Sequence, residues 1–249
     1  MPARRIRRFP SSEQVSRVAA EQFVRLASDA MSARTRFTVV LSGGSTPRRL
    51  YEILAASPYS DQVVWGKVEF FWGDERAVPP DHPDSNYRMA SDALLKKLNI
   101  SEGQIHRMEA ERQDRERAAW DYQSEIARVF GVDPLGEPPQ FDLVLLGMGA
   151  DGHTASLFPY TEAVREETRW VIPNYVPKLD SYRLTLTTTI LNKAAQVMFL
   201  VAGGDKSEPL TQVLEGPSDP ERLPAQLIRP VSGRLEWLVD ASAASRLRP

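Results

Sequence analysis

The chain of 249 residues carries 31 basic and 33 acidic side chains for a net charge of −2, is 42% hydrophobic, and contains no cysteine. That balance suits an α/β protein with a sizeable core, and it excludes disulfides, thiolate metal sites and a broadly basic surface for nucleic acid. No run approaches the roughly 20 apolar residues needed to cross a bilayer, so the reading is cytoplasmic with no membrane partner.

The first ten residues, "MPARRIRRFP", are basic with no apolar stretch behind them and read as a solvated, partly frayed end. "SSEQ" then gives a Ser-x-x-Gln capping pattern, and Val15, Val18, Ala19, Phe23, Leu26, Ala27 and Ala30 recur at helical spacing, which predicts a helix over 11–31. Four short apolar runs follow, "FTVVL" (37–41), "VEFFW" (68–72), "FDLVLL" (141–146) and "QVMFLV" (196–201). They are apolar on both faces, as central strands of a parallel sheet covered by helices must be. Helical patterns lie between and after them over 46–56, 85–98, 115–130 and 206–216. The Pro-interrupted 169–187 ends in the alternating "YRLTLT" and predicts antiparallel strands at a sheet edge. The expectation is one α/β domain over 1–249, a mainly parallel sheet flanked by helices.

Ligands of such sheets bind beyond the carboxyl ends of the strands, and three loops there have unusual compositions. "LSGGSTP" (41–47) closes a strand and opens a helix. Gly43 and Gly44 let main-chain N–H groups approach an anion, and Ser42, Ser45 and Thr46 add hydroxyls beside a helix N-terminus. The same composition would also serve a capped strand-to-helix turn. In "WGDERAVPPDHPDSNYR" (72–88), Asp74, Glu75 and Arg76 end an apolar strand, where unpaired charge is costly, so they pair with one another or face a cleft. Asn86 and Tyr87 can present polar ends from the helix that follows. In "GMGADGHTASLF" (147–158), glycines permit close main-chain approach, and Asp151 can hold the ring of His153 in one tautomer. Arg183 and Lys206 fall near strands as possible counter-charges, while His82 and His106 read as incidental. Neither a metal-binding motif nor a dinucleotide fingerprint is present.

Taken together, "LSGGSTPRRLYEIL", "WGDERAVPPDHPDSNYRMA", "LLGMGADGHTASLFP", "YRLTLT" and "PAQLIRPVSGRLEWLVDASAA" resemble the 6-phosphogluconolactonases, within the glucosamine-6-phosphate isomerase/deaminase superfamily. The resemblance runs from about residue 10 to the end. It implies a Rossmann-like fold without a nucleotide, no metal or organic cofactor, and a sugar-phosphate lactone as substrate. The expected roles follow. His153 acts as base on water, Asp151 orients it, and Arg76 or a loop N–H holds the oxyanion. Asp74 orients Arg76 or a sugar hydroxyl, and residues 43–46 with Arg183 and Lys206 anchor the phosphate. Glu75, Asn86 and Ser42 join the binding set, in a monomer or weak homo-oligomer. A deaminase of the superfamily would want a glutamate five residues beyond the loop histidine, where this chain has Phe158. A non-catalytic sugar-phosphate sensor would need a DNA-reading helix-turn-helix, and residues 1–36 hold a single long helix with no basic recognition pattern.

Overall fold

The computed structural model describes residues 4–248. In chain order the elements are β1 (Arg4–Phe9), α1 (Ser12–Arg34), β2 (Phe37–Leu41), α2 (Ser45–Leu54), β3 (Val68–Trp72), β4 (Asp74–Arg76), α3 (Asn86–Ala90), α4 (Arg115–Phe130), β5 (Leu143–Leu146), β6 (Val171–Val176), β7 (Ser181–Leu186), α5 (Thr188–Leu191), β8 (Gln196–Val201), α6 (Ser207–Glu215) and β9 (Arg234–Asp240). Six strands form an all-parallel sheet in the order β1-β9-β8-β5-β2-β3. β2, β5 and β8 are buried at every position, as their unbroken apolar sequences require.

The chain leaves β2 for β3 on one side and later returns to place β5 on the other, so the strand order reverses between β2 and β5. Such a reversal opens a crevice at the carboxyl ends of the two strands, because the connections on either side leave in opposite directions. All four predicted parallel strands point their carboxyl ends to this edge, and all three loops singled out from the sequence meet there.

Local sequence explains the boundaries. Ser11 caps α1 by accepting from the Gln14 N–H at 3.3 Å, and Thr35, at φ 67°, ends it. Ser85 caps α3 by accepting from the Arg88 N–H, and α3 widens into a π-helical turn over Ser91–Leu95. Two buried tyrosines hold the ends of parallel strands. The Tyr51 hydroxyl accepts from Ser42 N–H and donates to Ser42 C=O, both at 2.9 Å, just past β2. The Tyr122 hydroxyl does the same for Trp72 at the end of β3, at 2.8 and 3.2 Å. Burial pushes both phenols up, so both stay protonated and able to donate.

Three expectations change. The basic N-terminus is not a frayed end from Arg4 onward: it forms edge strand β1, in parallel register with β9 from Arg4↔Leu235 to Phe9↔Asp240. Ile6 and Phe9 pack on the core while Arg5 and Arg7 reach the buried carboxylate of Glu236 at 3.8 and 3.5 Å. Residues 1–3 of that segment lie outside the described residues. β9, beyond the last predicted strand, completes the sheet between β8 and β1. The antiparallel strands over 169–187 are present as β6 and β7, but they pair with β4 in a separate three-stranded sheet ordered β4-β7-β6. Among the described residues no helix is long and apolar enough to cross a membrane.

Candidate active site

A cleft of about 480 Å³ opens at the reversal point, walled by the loops after β2, β5 and β8, by β4 and by the hairpin joining β6 to β7. After β2, Gly44 at φ 104° is the N-cap of α2 and offers no side chain, so the first N–H groups of the helix have no side-chain cap among the described residues. A Cβ on Gly43 would sit 2.0 Å from Asn86 Oδ1, so this turn passes flush against the start of α3. Ser42, Gly43, Gly44, Ser45 and Thr46 all line the cleft, an uncapped helix N-terminus with hydroxyls around it.

The acidic and basic cluster divides by strand geometry. β4 is extended, so Asp74 and Arg76 share one face and Glu75 takes the other. Asp74, 8% exposed, accepts from Ser156 Oγ at 2.7 Å, and its main-chain carbonyl accepts from Asn86 Nδ2 at 2.9 Å. Arg76 is in direct register with Arg183 across the β4–β7 pair. Arg183 is pushed down by burial and then by the neighbouring Arg76 cation. Arg76 donates to the Asp84 carbonyl at 2.5 Å, and Arg183 donates to Ser181 Oγ and the Tyr182 carbonyl at 2.8 and 2.9 Å. Among the described residues neither forms an ion pair within 4.0 Å. Like charges directly opposite on a sheet are destabilising, and an anion between them removes the penalty. Lys206 enters from the loop after β8, its Nζ 2.9 Å from Asp205.

Glu75 requires a correction. It lies off the cleft, 3% exposed, accepting from the N–H groups of Arg76, Asn86 and Tyr87, each at 2.8 Å, and from Ser85 Oγ at 3.0 Å. Burial pushes its carboxyl up, against the pull of those donors. It fastens the start of α3 to β4, so its cost is met by structure rather than by a ligand. Sequence alternation within "DER" would have separated it from its neighbours had the segment been read as a strand.

The loop after β5 carries a dyad. His153 Nδ1 lies 2.5 Å from Asp151 Oδ1, and the loop closes through Gly149 N–H to the His153 carbonyl at 2.9 Å, with Gly152 at φ 79°. A Cβ on Gly149 would sit 2.1 Å from Nδ1, so only glycine admits the ring there. Burial works against ionising Asp151, but hydrogen bonds from His153 and Lys178 outweigh it and hold the carboxyl well below its usual range. An ionised carboxylate can only accept, so Nδ1 carries the proton, and in the neutral ring that leaves the lone pair on Nε2. Phe158 stacks on the imidazole with ring centroids 4.0 Å apart.

The structure therefore gathers every sequence-predicted site residue except Glu75 and Tyr87 around one cleft; Tyr87 packs edge-on against Trp72 instead. His106 is structural: it is 6% exposed and held between Glu69 at 2.9 Å and Glu125 at 2.8 Å. His82 accepts from the Asp84 N–H at 3.1 Å in the exposed loop after β4. Sequence reasoning missed Ser156, which holds Asp74, and Lys178, whose Nζ is 3.1 Å from Asp151 Oδ2. Nothing in "VPKLD" marks Lys178 in advance, because only the fold brings that hairpin tip to the dyad.

A family model described as "Glucosamine-6-phosphate isomerases/6-phosphogluconolactonase" matches residues 10–237. The chain is 44% identical over 220 residues to a 6-phosphogluconolactonase of Synechocystis sp., covering 88% of each. Against a Nostoc sp. 6-phosphogluconolactonase the identity is 42% over 218 residues, again with 88% of each covered. Among solved structures, the 6-phosphogluconolactonase of Trypanosoma cruzi superposes with a TM-score of 0.87 at 29% identity, covering 99% of this chain and 98% of that one. A monomeric glucosamine-6-phosphate deaminase shares the fold, with a TM-score of 0.79 at 22% identity over 98% of this chain and all of its own.

Proposed function

Because this chain belongs to the glucosamine-6-phosphate isomerase/6-phosphogluconolactonase family, we propose that its cleft receives a six-carbon sugar phosphate and opens a lactone ring with water. The reaction is hydrolysis of 6-phospho-D-glucono-1,5-lactone to 6-phospho-D-gluconate, a step of the oxidative pentose phosphate pathway. The family also holds isomerases, and one contact carries the choice between them. Phe158 stacks on His153 at the position where a ring-opening deaminase would want an acid. An apolar ring there neither relays a proton to the imidazole nor draws one from it, which suits a base that acts on water alone.

In this reading the phosphate sits at the uncapped start of α2, on the N–H groups and hydroxyls of residues 43–46, with Arg183 and Lys206 as counter-charges. That anchoring places C1 of the lactone near His153 Nε2. Water attacks C1 as Nε2 takes its proton, and Asp151 stabilises the imidazolium that forms. Arg76 or a glycine-loop N–H holds the oxyanion, an effect typically worth about 10²–10³ in rate. The tetrahedral intermediate collapses by breaking the bond from C1 to the ring oxygen, which receives the proton back from the imidazolium. Asp74, held by Ser156 and Asn86, orients a sugar hydroxyl. The scheme calls on one chain alone, and the reading is of a single domain acting as a monomer or weak homo-oligomer.

The test is a pair of assays on the purified protein: hydrolysis of freshly generated 6-phosphogluconolactone above its spontaneous background, and ammonia release from glucosamine 6-phosphate. Turnover in the first alone is expected. Ammonia release without lactone hydrolysis would overturn the reading.

A further inference from the structure

The carboxylate of Asp151 has two oxygens, and only one is used by the dyad. Oδ1 meets His153 Nδ1 at 2.5 Å and the His153 N–H at 3.3 Å, while Oδ2 meets Lys178 Nζ at 3.1 Å. Lys178 arrives from a different part of the fold, the tip of the β6–β7 hairpin, and the backbone there is built to place it. Pro177 opens a one-turn 3₁₀ segment, Asp180 turns the chain back at φ 43°, and the Tyr175 hydroxyl donates to Asp180 at 2.5 Å to fasten the turn. Lys178 and Leu179 thereby become part of the cleft wall.

An exposed lysine in a surface ion pair contributes little by itself, and Lys178 is 70% exposed. Its partner is different, with a side chain only 22% exposed and engaged to the imidazole on its other side. A carboxylate bonded through one oxygen can pivot about its Cβ–Cγ axis and misalign that bond. One held at both oxygens from opposite sides cannot. We infer that Lys178 is a positioning residue: by holding Asp151 Oδ2 it keeps Oδ1 on His153 Nδ1, and so keeps the imidazole in the tautomer that turns a free Nε2 toward the cleft. The inference rests on the proposed role of His153 as the base.

Two readouts test it, one independent of turnover. In ¹⁵N spectra the three histidines are few enough to resolve, and His153 is assigned by its loss in His153→Ala. The wild-type ring is expected to show a single Nδ1–H tautomer, Lys178→Met a mixture, and Lys178→Arg the wild-type pattern. In lactone hydrolysis, Lys178→Met is expected to lose about tenfold in kcat with KM changed less than twofold, and Lys178→Arg to recover most of it. An unchanged tautomer in Lys178→Met would overturn the proposal whatever the kinetics, as would a kcat loss that Lys178→Arg fails to restore. If the wild type lacked lactonase activity the function would be wrong, and the tautomer measurement would still decide the role of Lys178.

Discussion

Two arginines in register, Arg76 and Arg183, sit half-buried on one cleft wall with no carboxylate in ion-pair contact among the described residues, and this is the strongest electrostatic sign of an anionic ligand. Arg183→Ala is expected to raise KM for the phosphorylated lactone about tenfold or more while kcat changes little, since phosphate binding is shared by ground and transition states. An unchanged KM would place the phosphate elsewhere. At Gly149 the prediction runs the other way. Gly149→Ala puts a methyl 2.1 Å from His153 Nδ1 without straining the backbone, so kcat should fall at least tenfold while the melting temperature moves by only a few degrees. Both residues were legible in the sequence, as a cation near a strand and as a loop glycine. Glu75 shows the limit, because composition alone cannot tell a buried charge that binds a ligand from one that clamps a helix.

At the scale of elements, the parallel strands β2, β3, β5 and β8 were readable because burial on both faces leaves an unbroken apolar run, and a helical period between such runs leaves little choice of topology. β1 and β9 were not. "RRIRRF" and "RLEWLVD" carry charges that approach one another across the pair and interrupt the apolar pattern, and β1, as an edge strand, needs only a few apolar contacts to hold. β4 was hidden because it has three residues and, among the described residues, pairs only with β7, far along the chain. The clamps on strand ends were equally invisible, since a tyrosine in a helical pattern says nothing about which carbonyl it will reach. Tyr51→Phe deletes both hydrogen bonds to Ser42 and leaves a buried N–H and C=O unpaired, so it should cost about 1–3 kcal/mol in urea unfolding. It should also weaken substrate binding, because Ser42 begins the loop proposed to hold the phosphate. A variant with wild-type stability and KM would show that the clamp is idle.

On the scale of the molecule, the topology explains why residues from five distant stretches of sequence meet in one cleft. A reversal of strand order between β2 and β5 brings the glycine loop and the histidine loop side by side. The small antiparallel sheet then closes the crevice from above with Asp74, Arg76, Arg183 and Lys178. A net charge of −2 supplies no long-range attraction for an anion, so an anionic substrate depends on the local cations Arg76, Arg183 and Lys206 that line the cleft. The central claim is that the Asp151–His153 dyad supplies the base for lactone hydrolysis, and steady-state kinetics of His153→Ala test it most directly. With the spontaneous rate subtracted, kcat should fall by about 10²–10⁴ with KM nearly unchanged. A variant that keeps most of its turnover would contradict the account.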